Sequence, residues 1–267
     1  MSITEKEDGP REAIREPALR QAGESLRNER FDVYHDGWLD SLVILLLLGL
    51  LVVVEWVRFL LNIPPSWHTV LPVTLVAAGF AVHYVRRMRR ALETLDRLKR
   101  GMVGEVHVGQ FLDDMCRGIG YRVLHDIPGE NFNVDHVLIG PGGIFSIEVK
   151  HWTKPKGDAK LFYDGERVMK EGGIWDAGPV KQATANADFV RKLVAKRTGR
   201  EAKGIPVRAV LMVPGWFVEG KSSGKDVWVL GNEPLLAFLN REVRKLKGED
   251  VALFYEAVGT YVRAFGK

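Results

Sequence analysis

The chain has 267 residues, 46% hydrophobic and 27% charged, enough for one sizeable core and a smaller companion. Its net charge of +4 is unevenly spread: residues 1–40 sum to −4, residues 86–100 to +5 and residues 101–267 to +3. That pattern is a local basic collar, and it does not by itself establish a nucleic-acid ligand. A single cysteine, Cys116, excludes an internal disulfide and a cysteine-built zinc site, and reads as a small core residue of a helix.

Residues 1–37 are polar and mixed in charge, without the apolar core of a signal peptide, and are expected to be a polar cytoplasmic tail. Ser41 to Val54 is an apolar run, and with its flanks it predicts a transmembrane helix over 38–63. Glu55 and Arg58 fall inside that span, three apart on a helix, where they can pair near the interface. Pro64-Pro-Ser-Trp-His68 is a turn, and residues 69–85, interrupted mildly by Pro72 and His83, predict a second span. Arg86-Arg-Met-Arg-Arg90 opens a basic juxtamembrane helix over 86–100. With no Lys or Arg in the turn, the positive-inside rule places both termini and the domain 101–267 in the cytoplasm, on the cell (inner) membrane. The competing reading, a buried helical hairpin of a soluble protein, sits poorly with so long an apolar run.

Gly104 to Cys116 reads as a helix on which Glu105, Val108, Gly109, Leu112 and Cys116 share one side. Glu105 therefore either meets a cation or donor network on a buried face, or complements the helix N-terminal dipole. Tyr121 to His125 is a first strand and Pro128 to Asn131 a loop. Val134–Ile139 and Ile144–Val149 are two strands around Gly140-Pro-Gly-Gly143, a hairpin whose third strand extends through His151 and Trp152. With the turn centred on Pro141-Gly142, facing residues have numbers summing to 283, so Asp135 faces Glu148 and Lys150 shares the face of Glu148. Two facing carboxylates repel unless a cation sits between them, and hard oxygen ligands suit Mg²⁺ or Mn²⁺. The competing reading is a pair of solvated strand acids, or a shifted turn that makes the pair diagonal. His125, His136 and His151 read as incidental polar residues.

Residues 153–178 look like an irregular insertion with a short hairpin near Leu161–Gly165, in which Trp175 reads as a packing residue. Pro179 to Arg197 is a helix with Pro in its first turn. Gln182 and Asn186 share a face, while Arg191, Lys192, Lys196, Arg197 and Arg200 form a basic half that either grips phosphates or is a solvated helix end. Val207–Val213 is a strand buried on both faces, and Val227–Leu230 is another. Asn232 is expected to cap a helix from Glu233 to about Leu246, and a last helix runs from Asp250 to about Phe265. Strands alternating with helices give an α/β domain with a mixed sheet.

Asp, then about a dozen residues, then Glu-x-Lys closing an apolar strand resembles the PD-(D/E)xK nuclease superfamily. Gly104-Glu105, Val134-Asp135-His136, Glu148-Val-Lys150 and Gln182 with Asn186 together are similar to its nuclease-related domain branch, NERD, over roughly residues 101 to 215. The resemblance implies a restriction-endonuclease-like mixed sheet with a helix-strand-strand-strand-helix-strand core. It further implies a metal-dependent phosphodiesterase acting on nucleic acid, DNA ahead of RNA. Asp135 and Glu148, with the Val149 carbonyl, would hold Mg²⁺ or Mn²⁺. Lys150, Glu105 and Gln182 would be catalytic, and Asn186, Arg191, Lys192, Lys196 and Arg197 would contact the nucleic acid. The expectation is a membrane-anchored nuclease-like protein; the alternative is a tethered, catalytically inactive nucleic-acid-binding or scaffold protein.

Overall fold

The computed structural model describes residues 19–64, 67–154, 160–220 and 226–265. It divides into two compact units, residues 23–104 and residues 105–267 together with the described part of 1–22. The first eighteen residues of the expected tail, Pro65 and Ser66 of the expected turn, residues 155–159 of the insertion and the Glu55 side chain lie outside the described residues.

The first unit is built on two long helices, α1 (Glu24–Leu60) and α2 (Trp67–Phe111). The second apolar run, the basic segment 86–100 and the first turns of the helix expected from Gly104 are thus one uninterrupted element. No proline divides them after Pro72, and Gly101, which could have, instead admits the Leu26 methyl, 3.1 Å from where a Cβ would stand. The chain leaves α1 through Asn62, which takes a left-handed backbone (φ 51°) as Asn tolerates well. The Arg58 guanidinium donates to the Pro64 carbonyl at 3.3 Å.

Among the described residues, no helix is long and apolar enough to cross a membrane. The two spans expected over 38–63 and 69–85 are therefore not supported. Asp40, Glu55 and Arg58 interrupt the first region and Pro72 and His83 the second, leaving continuous apolar stretches short of the ~20 residues a crossing needs. The unit nonetheless exposes large apolar side chains, among them Leu46 (73%), Phe59 (74%) and Leu75 (64%).

In the second unit, α2 gives way to a π-helical turn over Leu112–Cys116, and Cys116 is fully buried. Five strands follow in one sheet of order β1-β2-β3-β6-β8: β1 (Arg122–Pro128), β2 (Asn133–Gly140), β3 (Gly143–Val149), β6 (Val207–Met212) and β8 (Val227–Leu230). The first three are antiparallel, and β3, β6 and β8 are parallel, β3 and β6 being joined through α3 (Gly178–Thr198). A smaller sheet, β5-β4-β7, comes from the insertion hairpin β4 (Lys160–Tyr163) and β5 (Val168–Lys170) plus β7 (Phe217–Gly220), a strand too short to carry a sequence signal.

Alternation along the strands sorts the core into two faces. Val108 and Leu112 pack with Leu138, Phe145, Ile147 and Trp228 and with Leu235 and Leu239 of α4 (Asn232–Arg241). Val137, Ile139 and Ile144 pack on the other side against Val190 and Val194 of α3 and Phe254 and Val258 of α5 (Gly248–Phe265). The acids at 135 and 148 belong to this second face, over which α3 lies. Burial of this kind contributes roughly 1.5–3 kcal/mol per large apolar side chain.

Three expectations need correction. β3 ends at Val149 and not at Trp152, although the Lys150 N–H still reaches the Met212 carbonyl at 2.8 Å. Asn232 makes no side-chain cap, and α4 stops at Arg241. The segment beyond it is drawn off because the Lys245 and Leu246 N–H groups both donate to the Pro141 carbonyl, at 2.8 and 3.1 Å.

The same hairpin turn is fixed from other directions. The Gly142 N–H donates to the Tyr121 hydroxyl at 3.2 Å, and the Ile144 N–H to the Pro206 carbonyl at 2.8 Å. Gly143 has φ 133°, and a Cβ there would stand 2.9 Å from that carbonyl oxygen. Gly143→Ala should therefore destabilise the protein by about 1–3 kcal/mol in chemical denaturation. Gly204→Ala, in open space at negative φ, should change it by less than about 0.5 kcal/mol.

Candidate active site

The hairpin pairs Ile139 with Ile144, Leu138 with Phe145, Val137 with Ser146 and His136 with Ile147. Each pair sums to 283, and one further step along the same register brings Asp135 against Glu148. The Val149 N–H donates to Asp135 Oδ2 at 2.6 Å, holding the Asp135 carboxylate over the end of β3. Glu148 is buried, only 2% exposed. Its Oε1 accepts from Lys150 Nζ at 2.6 Å and its Oε2 from Asn186 Nδ2 at 2.7 Å. Lys150 Nζ also donates to Gln182 Oε1 at 2.8 Å. Gln182 and Asn186 are one turn apart on α3, so one helix face supplies both contacts to the strand end.

The charges in this patch are held against their preference. Burial pushes Asp135 well above the usual carboxylate range, and the neighbouring Glu148 and Glu105 push it further. Its hydrogen bond from Val149 and the Lys150 charge work the other way. Glu148 is raised by burial and held down by Lys150 and Asn186. Glu105, at the end of α2, is raised to about 7, first by burial, then by Asp126 and Glu148, with Lys150 opposing. Of its two sequence readings, the structure keeps the buried one: residue 105 lies deep inside a continuous helix, so no N-terminal dipole acts on it.

His136 points to the opposite face from Asp135. Its Nδ1 lies 2.9 Å from His125 Nδ1, and His125 Nε2 lies 3.2 Å from Asp113 Oδ2. Burial lowers both histidines, that of His136 well below its usual range. They form a neutral buried pair beneath the sheet. His151 is exposed.

The basic half of α3 is largely committed to packing. Arg191 pairs with Asp188 and donates to the Val207 carbonyl at 2.9 Å. Arg197 stacks on Tyr261, 5.5 Å from its ring centre. Arg200 pairs with Asp250 at 2.5 Å and lies over Phe254. Lys192 and Lys196 are exposed. Ten residues of helix separate Asn186 from Lys196, a rise of about 15 Å, so this half is not part of the acidic patch.

One acid escaped the sequence reading. Asp126 is buried, with φ 50°, and accepts from Arg20 Nη1 at 3.2 Å. β1 pairs His125 with His136 and Ile127 with Val134, so Asp126 occupies the step opposite Asp135. Extending the first strand through Ile127-Pro128 would have exposed that correspondence, since 126 and 135 then face each other.

The donor set is oxygen-only, partly buried and mutually repelling, which fits a hard divalent cation in chemical type. Among the described residues, however, no group of three or more His, Cys, Asp or Glu side chains stands ready to hold a metal ion. Two carboxylates and backbone carbonyl oxygen are what the strand end offers.

A raised carboxyl pKa stabilises the folded state at low pH. For Glu105 that stability is fully present below about 4.5 and is lost as pH rises through about 7. In divalent-free buffer the unfolding free energy should fall between pH 5 and 8. Glu105→Gln should recover up to about 3 kcal/mol of it at pH 8 in denaturant titrations.

Among curated proteins and among solved structures, none matches the chain. Residues 100–214, which hold Glu105, Asp135, Glu148, Lys150, Gln182 and Asn186, match the family model for the nuclease-related domain. This part of the chain is a nuclease-related domain, NERD.

Proposed function

We propose that the strand-end patch is the active site of a metal-dependent nuclease-like hydrolase that cleaves phosphodiester bonds in nucleic acid. The observation that supports this best is the β2–β3 register, which carries Asp135 to Glu148 while Lys150 is held between Glu148 and Gln182. Asp135 and Glu148, with the Val149 carbonyl, would hold Mg²⁺ or Mn²⁺, whose contribution when bound is Lewis acidity toward a phosphoryl oxygen and toward water. Glu105, near half-protonation at neutral pH, orients the attacking water and accepts its proton. Lys150 Nζ offers positive charge to the phosphate as it becomes more negative. Gln182 keeps that ammonium group in place, and Asn186 does the same for Glu148. Lys192 and Lys196 are the α3 side chains open to a phosphate backbone, and DNA is the first substrate to try.

A second reading, a nucleic-acid-binding module without turnover, draws on one specific observation. Both Glu148 oxygens already accept hydrogen bonds, from Lys150 and Asn186. We further propose that residues 23–104 associate with a lipid bilayer at the cytoplasmic face of the cell membrane. The exposed apolar side chains of α1 and α2 and the Arg86–Arg90 collar support that reading.

Full-length protein should cleave a DNA oligonucleotide with Mg²⁺ or Mn²⁺ and not in EDTA. Asp135→Ala and Glu148→Ala should each slow cleavage by roughly 10³-fold while leaving the circular dichroism spectrum unchanged. Metal-independent binding without cleavage in the wild type would favour the second reading. For the helical unit, the protein should pellet with membranes and resist high-salt extraction; recovery of all of it in the soluble fraction would remove the bilayer proposal.

A further inference from the structure

The four residues ahead of α1 belong structurally to the nuclease-related unit. Leu19 lies against α5, its Cδ2 3.7 Å from where a Cβ on Gly259 would stand. Ala22 lies so close to α2 that a Cβ on Gly109 would meet the Ala22 Cβ at 2.6 Å. A glycine inside a helix is ordinarily unfavourable, and this close approach is the reason one stands at 109. Between these anchors, Arg20 reaches the buried Asp126, their side chains 22% and 3% exposed.

Asp126 stands across the ladder from Asp135 and acts electrostatically on Glu105. Without Arg20, four carboxylates (Glu105, Asp126, Asp135 and Glu148) would share a small volume with Lys150 as their cation. A buried acid that loses its ion-pair partner is an uncompensated charge. We propose that Leu19–Ala22 is a working part of the acidic site and that Arg20 is a positioning residue: by neutralising Asp126 it limits how strongly Glu105, Asp135 and Glu148 attract a divalent cation. This rests on the metal-dependent reading above. It makes the functional unit discontinuous, residues 19–22 with 105–265, so a fragment starting near residue 101 is an altered site.

The test uses full-length protein, Mn²⁺ binding by calorimetry and thermal unfolding in EDTA. Arg20→Ala should bind Mn²⁺ roughly tenfold more tightly than wild type, as expected when one nearby positive charge is removed. Arg20→Lys should stay close to wild type. Asp126→Asn keeps the shape, and Asn tolerates the left-handed backbone; in the Arg20→Ala background it should restore wild-type affinity. Unchanged Mn²⁺ affinity in Arg20→Ala, or tightening that persists in the double variant, overturns the proposal. Should Arg20→Ala fail to fold, Gly109→Ala, which crowds Ala22 and leaves Arg20 and Asp126 intact, must give the same tightening, and wild-type affinity there overturns it. If the wild type itself binds no Mn²⁺, it is the metal-dependent reading that fails. The role of Arg20 is then decided in EDTA, where non-additive losses of melting temperature for Arg20→Ala and Asp126→Asn support the ion pair and additive losses overturn it.

Discussion

Asp135 and Glu148 carry like charge on neighbouring strands, and the surrounding fold is arranged to keep them there. Carboxylates so placed would protonate or separate unless hydrogen-bond donors and cations converge on them. The donors come from three elements: the Val149 N–H at the end of β3, Lys150 one residue further, and Asn186 from α3. Gln182 then fixes Lys150 from the same helix face. Removing any one leaves a buried charge poorly compensated, which is why this patch is a cooperative unit and not a set of separate contacts.

The hairpin turn bears on the patch from the far end of the strands. Register decides which face every side chain of β2 and β3 occupies, and a slip by one residue would turn Asp135 toward the histidine pair and away from α3. Pro141, Gly142 and Ile144 are therefore tied to three separate parts of the chain, the loop before α5, Tyr121 and Pro206. Stability at the turn and geometry at the acids are one property of the fold.

Positive charge is distributed differently from what its abundance suggests. Arginines of α3 stack on Tyr261 or pair with Asp188 and Asp250, joining α3 to α5 and to its own preceding turn. Meanwhile an arginine far away in sequence, Arg20, stands beside the acids. A guanidinium is suited to both tasks, because its planar face stacks on rings while its edge pairs with carboxylates. The consequence is that cationic side chains chiefly organise this domain internally, and few remain on α3 to meet an external phosphate.

Much of the site was legible from residue order alone. The glycine-proline turn and the alternating strands around it fixed the 283 register, which follows from local turn chemistry and the two-residue period of a strand. The spacing of Gln182 and Asn186 put both on one helix face for the same kind of reason. Helix joints were not legible: α2 runs unbroken from Trp67 to Phe111 because nothing local terminates it, while α4 stops at Arg241 because Pro141, a hundred residues earlier, captures the next backbone donors. Asp126 and Arg20 were equally hidden, since their meeting depends on a segment folding back across 106 residues of sequence and on one residue leaving the strand ladder. Sequence by itself determined what repeats within a few residues, namely strand faces, the turn and one helix face. Only the tertiary structure decided which distant charges neutralise one another, because that depends on packing that no local pattern encodes.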